Sequence, residues 1–300
     1  MAREGVTGAP EILEDRRGFF RRFSYRPLLG MLGELERFRV METLTIKTYP
    51  GCHYFQTAYE AIEQIRARRP DAAIDSVLVE TTKLATEATR FAREYVAPDD
   101  LTSVNANFDL GLSAAILLHA GRLTTRELEE SWLAANAAPV EALRARISVV
   151  HSPALTAKVI ATASHVPAAR REIRTLRAGE LFGLRRHYRD DYASELASPR
   201  EIVALVAASL RELRAGAPHD GVRMWFPSRV TIEFAGGARE VVQVDLPRGS
   251  FVGGDIDAAI AEKLARELGD AAAQRALEVG RTAENHAIAT LVDAFTVTAS

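Results

Sequence analysis

Apolar positions change period several times along this chain, and each change marks an element. Met41-Glu42-Thr43-Leu44-Thr45-Ile46-Lys47 alternates and is rich in β-branched residues, which predicts a strand stopped by Pro50-Gly51. From His53 to Arg68 the spacing becomes helical, with Tyr54, Ala58, Ala61, Ile62 and Ile65 on one face and Glu60, Glu63, Arg66 and Arg68 off it. Ala73 to Val79 reads as a second strand, so the unit is β-α-β. Helices are expected over Phe108 to His119, over Thr125 to Ala134 with Glu127 and Glu129 near its positive end, and from Pro139 to about Arg146, followed by a short strand from Ile147 to Val150. Arg229 to Phe234 and Glu240 to Leu246 alternate strongly around Ala235-Gly236-Gly237-Ala238, the clearest hairpin in the chain. Ile256, Ile260, Leu264 and Leu268 form a one-face stripe that predicts a helical tail.

These elements predict an α+β fold, a split β-α-β sandwich with helices segregated to one face. Residues 1–40 read as an irregular segment, because Gly5, Gly8, Pro10, Gly18, Pro27 and Gly30 interrupt any long helix. Residues 41–151 and 222–300 form the α/β domain, and 152–221 is mostly helical by pattern. That last stretch carries Arg170, Arg171, Arg174, Arg177, Arg185, Arg186 and Arg189, which suggest either an anion-binding surface or a solvated helical face. Glu172, Glu180, Asp190 and Asp191 interleave with them and favour the solvated face.

Composition narrows the function classes. Apolar residues make up 47% and charged residues 26%, the profile of a globular protein. The longest apolar stretch, near Leu110 to Leu118, is too short to span a bilayer, and Met1 to Gly5 opens no secretory signal, so no membrane role and a cytoplasmic location are expected. Thirty-eight basic side chains against forty acidic ones give no global field for nucleic acid. The single cysteine, Cys52, excludes an internal disulfide and a cysteine-rich zinc site, and no nucleotide-binding glycine motif is present. His119, His151, His165, His187, His219 and His286 show no metal-ligand spacing. Neither metal nor cofactor is expected.

Four short motifs in a fixed order carry a resemblance. Ile46-Lys47-Thr48-Tyr49-Pro50-Gly51-Cys52-His53-Tyr54 resembles the strand-turn-helix of the MmgE/PrpD family, which reads roughly Lys-Pro-Tyr-Pro-x-Cys-x-Tyr-x-His, at Lys47, Tyr49, Pro50, Cys52 and Tyr54. Gly5 to Glu14 with Gly18-Phe19 resembles the segment by which that family leaves its helical domain. Ala106-Asn107-Phe108-Asp109-Leu110 through Leu118 is similar to its Ala-Gln-Phe-Ser-Leu-Pro-Tyr helix, and Val244-Asp245-Leu246-Pro247-Arg248-Gly249 to its closing Asp-Tyr-Pro-Arg-Gly. The resemblance covers Gly5 to Val150 and Pro227 to the end. It implies the C-terminal portion of a 2-methylcitrate dehydratase or cis-aconitate decarboxylase type of lyase, with residues 1–40 leading from an absent helical domain and 152–221 a helical insertion.

Lyases of this type move a proton beside a carboxylate, which needs acid/base groups of tuned pKa in a site shielded from water. The resemblance places that site in a cleft between the helical and α/β domains, of which this chain supplies one wall. The family's histidine falls at Gln56 and its tyrosine at Leu112, neither of which exchanges a proton. His53, one helical turn from Gln56, either replaces the missing histidine or caps local backbone. Lys47 joins His53 as a candidate catalytic residue, while Tyr49, Gln56 and Arg248 are candidate substrate-binding residues. Lys47 and Tyr49 read equally well as the ends of a strand, and Arg248 as a solvated turn residue. Cys52 reads as a small buried residue and not a nucleophile. Asn107 and Asp109 stand where a helix begins and suit capping.

Two functions remain. One is a lyase acting on a small carboxylic acid, or one subunit of a split enzyme, inactive without a helical partner or a homodimeric arrangement; that reading expects an apolar docking face around Phe108, Leu110 and Leu112. The alternative is a catalytically inactive structural or interaction protein that retains the fold. A reading frame truncated upstream of Met1 would account for the same features.

Overall fold

The computed structural model describes residues 45–95, 102–163, 171, 175, 199–215, 226–250 and 255–283. Helix α1 spans Gln56–Arg68, β1 Ile74–Thr81, α2 Lys83–Tyr95, α3 Ser103–Phe108, α4 Leu110–Ala120, α5 Glu130–Ala135, α6 Ala137–Arg144 and β2 Ile147–His151. There follow α7 Pro153–Ala163, α8 Pro199–Ala215, β3 Ser228–Phe234, β4 Arg239–Val244, α9 Ile256–Leu268 and α10 Asp270–Arg281. The chain is therefore α+β, with a helical C-terminal region.

Four strands form one sheet in the order β2-β1-β3-β4. β1 and β2 run parallel, with Val77 opposite Ile147 and Thr81 opposite His151, whereas β1 and β3 are antiparallel, with Val77 opposite Ile232. β3 and β4 form the hairpin expected from their alternation, pairing Val230 with Val242. Gly236 and Gly237 turn it at φ 89° and 83°, a region that side chains with a Cβ rarely enter.

One face of the sheet builds the core. Val77 and Val79 from β1 and Val230, Ile232 and Phe234 from β3 pack with Phe55, Tyr59, Ile62 and Ile65 of the α1 region, all essentially buried. α4 completes that core. Its sequence, Leu-Gly-Leu-Ser-Ala-Ala-Ile-Leu-Leu-His-Ala, is apolar on every side, so the whole run Leu110 to Leu118 is buried. Asp109 opens α4 by accepting from the amides of Gly111 at 2.9 Å and Leu112 at 3.2 Å, and Gly121 closes it in the left-handed conformation at φ 71°.

Several elements differ from their sequence reading. Of the strand expected over 41–47, residues 41–44 lie outside the described residues; Thr45 makes a single antiparallel bridge to Ser250, and the Ile46 amide donates to the Gly249 carbonyl at 2.8 Å. The parallel pair of the sheet is instead β1 with β2. The helix expected from Thr125 divides into a 3-10 turn, Arg126–Leu128, and α5. α2 was not expected, because Thr82, Thr86 and Thr89 dilute the helical spacing of Ala85, Ala88 and Ala92. Leu110 and Leu112 are fully buried and form no docking face, although Phe108 and Val104 are exposed. Within 152–221, α7 and α8 are described and Arg171 is exposed; Arg170, Arg174, Arg177, Arg185, Arg186 and Arg189 lie outside the described residues. No described helix is long and apolar enough to cross a membrane.

Candidate functional site

The turn between Thr45 and α1 gathers most of the chemistry. Gly51 sits at φ 92°, with the backbone of Asn107 against it, and the Cys52 amide donates to the Asn107 carbonyl at 2.9 Å. A 3-10 turn, His53–Phe55, then leads into α1. Gln56, the first residue of α1, reaches back seven residues: its side-chain oxygen accepts from the Tyr49 amide at 3.0 Å, and its NH2 donates to the Tyr49 carbonyl at 3.1 Å and the Cys52 carbonyl at 3.4 Å. The buried turn backbone is thereby satisfied by a side chain, as burial requires. The structure thus places Gln56 inside the turn, with its amide bonded to the backbone.

Tyr49 is fully buried, its ring 5.7 Å from the guanidinium of Arg248 and 4.6 Å from that of Arg266. The Arg248 guanidinium donates to the Tyr49 hydroxyl. Burial, reinforced by the charge of Glu63, holds that hydroxyl well above its ordinary pKa, so it remains protonated. Glu60 and Glu63 lie one and two turns along α1 from Gln56. Glu63 accepts from Arg266 at 2.7 and 2.9 Å, a bidentate pair, and from Arg248 at 3.0 Å. Burial raises the Glu63 pKa, but these bonds and charges outweigh it and hold the carboxyl below its usual range. Glu262 of α9 joins Arg248 at 2.7 Å and Arg266 at 2.6 Å.

Glu60 is the unusual member. Its side chain is 3% exposed, yet among the described residues it accepts only the Arg248 backbone amide, at 2.8 Å, with the Arg248 Nε 3.6 Å away. Burial is the main cause that pushes its pKa up to about 7, with Glu262 and Glu63 adding to it and Arg248 opposing it. A carboxyl in that range exchanges a proton near neutral pH. Sequence spacing put Glu60 off the apolar face of α1; the structure buries it. Its signal was the pair Glu60 and Glu63 on α1, whose partners Arg248 and Arg266 lie about two hundred residues away and are unreadable locally.

Lys47 and His53 occupy the other edge of the turn. Lys47 is exposed and donates from Nζ to the Gly51 carbonyl at 3.0 Å, with no carboxylate on its ammonium among the described residues. Lys263 of α9 donates to the Lys47 carbonyl at 2.9 Å. His53 is half-buried, edge-on to Phe226 at 5.2 Å, and burial followed by the Lys47 charge lowers its pKa. Cys52 is buried and its thiol is pushed up by that burial, consistent with its reading as an inert small residue. Arg248, 40% exposed, is no free turn residue but the hub of the acidic cluster. The structure therefore joins Tyr49 and Arg248 directly, ties Gln56 to Tyr49, and sets Lys47 beside His53.

A second buried carboxylate stands at α4. Asp109, 1% exposed, receives Arg93 at 2.8 Å and Arg144 at 2.7 Å in addition to the helix amides it caps. Behind α1, the hydroxyls of Thr57, Thr81 and Ser228 form a buried chain, at 3.1 Å between Thr57 and Ser228 and 2.9 Å between Thr81 and Ser228. Among the described residues no group of three or more His, Cys, Asp or Glu is placed to hold a metal ion.

The family model of the MmgE/PrpD C-terminal domain matches residues 49–204, starting at Tyr49 itself. This chain belongs to the MmgE/PrpD family. The matched span takes in the turn, α1, the first two strands, α4 and α7, and it runs on through most of the segment read as an insertion. Arg248, Glu262 and Arg266 lie beyond the match, so the MmgE/PrpD assignment rests on the turn and the core and not on the charged cluster. No curated protein matches the chain.

Proposed function

We propose that this MmgE/PrpD chain carries one wall of a lyase site that moves a proton beside a carboxylate of a small carboxylic acid, as a dehydratase or decarboxylase does, and that a helical domain supplies the other wall. The observation that carries this reading is the edge of the turn where Lys47 and His53 stand together. The Lys47 ammonium is exposed and without a carboxylate among the described residues, which suits it to hold a substrate carboxylate. His53 beside it is kept toward the neutral form by burial and by Lys47, which suits it to accept a proton. Tyr49 and Arg248 buttress the turn from the inside, Arg248 with its side chain still 40% exposed.

The test is turnover of 2-methylcitrate or cis-aconitate, followed by loss or gain of the conjugated alkene absorbance, by the full chain alone and with a helical-domain partner. Activity is expected only with the partner, and is expected to fall by at least about a hundredfold in Lys47→Ala and His53→Ala. Undiminished turnover in both variants would overturn the assignment of these residues.

One observation favours a second reading, a binding or structural protein without catalysis. Gln56 and Leu112, at the positions where the family resemblance expects histidine and tyrosine, are both fully buried, and neither exchanges a proton. Absence of turnover with every candidate partner, alongside stable complex formation, would favour it.

A further inference from the structure

The helix pair α9–α10 is joined to the rest of the chain in a different way from every other helix near the turn. Its buried side chains are Ala259, Ala273 and Ala276, and none of its larger apolar residues enters the hydrophobic core among the described residues. Ile256, Ile260, Leu264 and Leu268, the expected one-face stripe, are only partly covered. Four polar side chains of α9 make the connection instead. Glu262 bonds Arg248, Lys263 bonds the Lys47 carbonyl, and Arg266 grips Glu63 with both terminal nitrogens. Glu267 accepts from the Thr125 hydroxyl at 2.6 Å and from its amide at 3.2 Å.

These bonds fall on Lys47, Glu63, Arg248 and Thr125, so α9 lies across the turn that positions Tyr49, with the Arg266 guanidinium on the ring. The ions are about one-fifth to two-fifths exposed, so water and salt reach them. Ion pairs of this exposure weaken when salt screens them, whereas apolar packing such as that between α1 and the sheet strengthens or stays level. The joint between α9 and the turn is thus expected to be weaker than the joints inside the core, and to depend on a different force.

We infer that α9–α10 is an ion-latched strap over the Lys47–Tyr49 turn, which opens as a unit when its charge pairs are weakened and leaves the core intact. Opening would lift Arg266 from Tyr49 and Lys263 from the Lys47 carbonyl. Access to the turn would then be governed by ionic strength and by any anionic ligand that competes for Arg266 and Arg248.

Amide hydrogen exchange on the full chain, read by mass spectrometry, tests this. Raising sodium chloride from about 50 mM to about 500 mM should speed exchange in 255–283 by roughly threefold to tenfold, while α1 and β1 stay as they were. Arg266→Met at low salt should reproduce the effect. Because that variant keeps the length of the side chain, far-ultraviolet circular dichroism and unchanged α1 exchange would show that the fold is retained. Exchange in 255–283 that ignores both salt and Arg266→Met overturns the proposal, as does acceleration that spreads equally through α1 and β1.

Discussion

Replacing Glu60 by glutamine should remove a pH dependence of stability that the fold builds into one carboxyl. In the unfolded chain a glutamate titrates near 4.5; in the fold, burial under Arg248 pushes Glu60 up to about 7. The folded state then holds this proton more tightly than the unfolded state. The stability it contributes is fully present below about 4.5 and is lost as pH rises through about 7, the opposite of the usual salt-bridged carboxylate. A displacement of that size corresponds to about 3 kcal/mol at most. Glutamine is neutral throughout, and its side-chain oxygen can still accept the Arg248 amide that Glu60 accepts at 2.8 Å. Wild type and Glu60→Gln should therefore have similar stability near pH 4.5, and the variant should become the more stable by a few kcal/mol near pH 8. Urea unfolding followed by the fluorescence of the two tryptophans measures this at a series of pH values. Ionisable groups that the substitution leaves untouched cancel in the difference. Parallel stability curves, or a variant that loses ground as pH rises, would refute the placement of Glu60 as a buried, protonatable carboxyl.

Three further outcomes follow from the packing. Asp109→Ala removes the α4 cap and the Asp109 bonds of Arg93 and Arg144, Arg144 keeping Glu141, and should cost about 2–4 kcal/mol in urea unfolding, with Asp109→Asn milder because the amide oxygen still caps; a cost under about 1 kcal/mol for the alanine would contradict the buried pairing. Gly249→Ala would put a Cβ 1.9 Å from the Ile46 carbonyl oxygen, so the bridge between residues 45–46 and 249–250 must separate, lowering stability by about 2 kcal/mol or more. An NMR titration should give His53 a midpoint below 6.5 that moves up in Lys47→Met, and an unmoved midpoint would show that the Lys47 charge does not reach the ring.

The elements that the sequence announced were those whose partners are near in the chain. The β3–β4 hairpin carries its own turn glycines and its own alternation, and α4 carries both its cap at Asp109 and its stop at Gly121. The sheet order was out of reach, because β1 pairs with β2 about seventy residues away and with β3 about one hundred and fifty away, and no period in the sequence encodes a choice of neighbour. α4 also shows why a face cannot be assigned from residue type alone. Its leucines read as an exposed docking surface only while the helix is imagined with one free side; the fold buries the run from Leu110 to Leu118, and in the preceding α3 Phe108 and Val104 are exposed.

At the site, motif and geometry diverge in an instructive way. The residues of the turn were legible because a short strand, a Pro-Gly stop and a helix start must lie together, and Tyr49, Gln56, Lys47 and His53 do. Their roles were not legible, since a role depends on what approaches from elsewhere. Gln56 looks like a lost histidine in the sequence, but in the fold its amide supplies both a donor and an acceptor to the Tyr49 backbone, which an imidazole in a single tautomer matches less completely. Arg248 looks like a solvated residue after a hairpin, but Glu60, Glu63 and Glu262 converge on it. The same convergence buries Glu60 without giving it a close guanidinium bond of its own, because Arg248 directs its terminal nitrogens to Glu63, Glu262 and Tyr49. A carboxyl buried in that position and left without a close guanidinium bond by the bonding of its neighbours keeps its proton near neutrality, and this is why a carboxyl raised to about 7 stands where no local motif marks it.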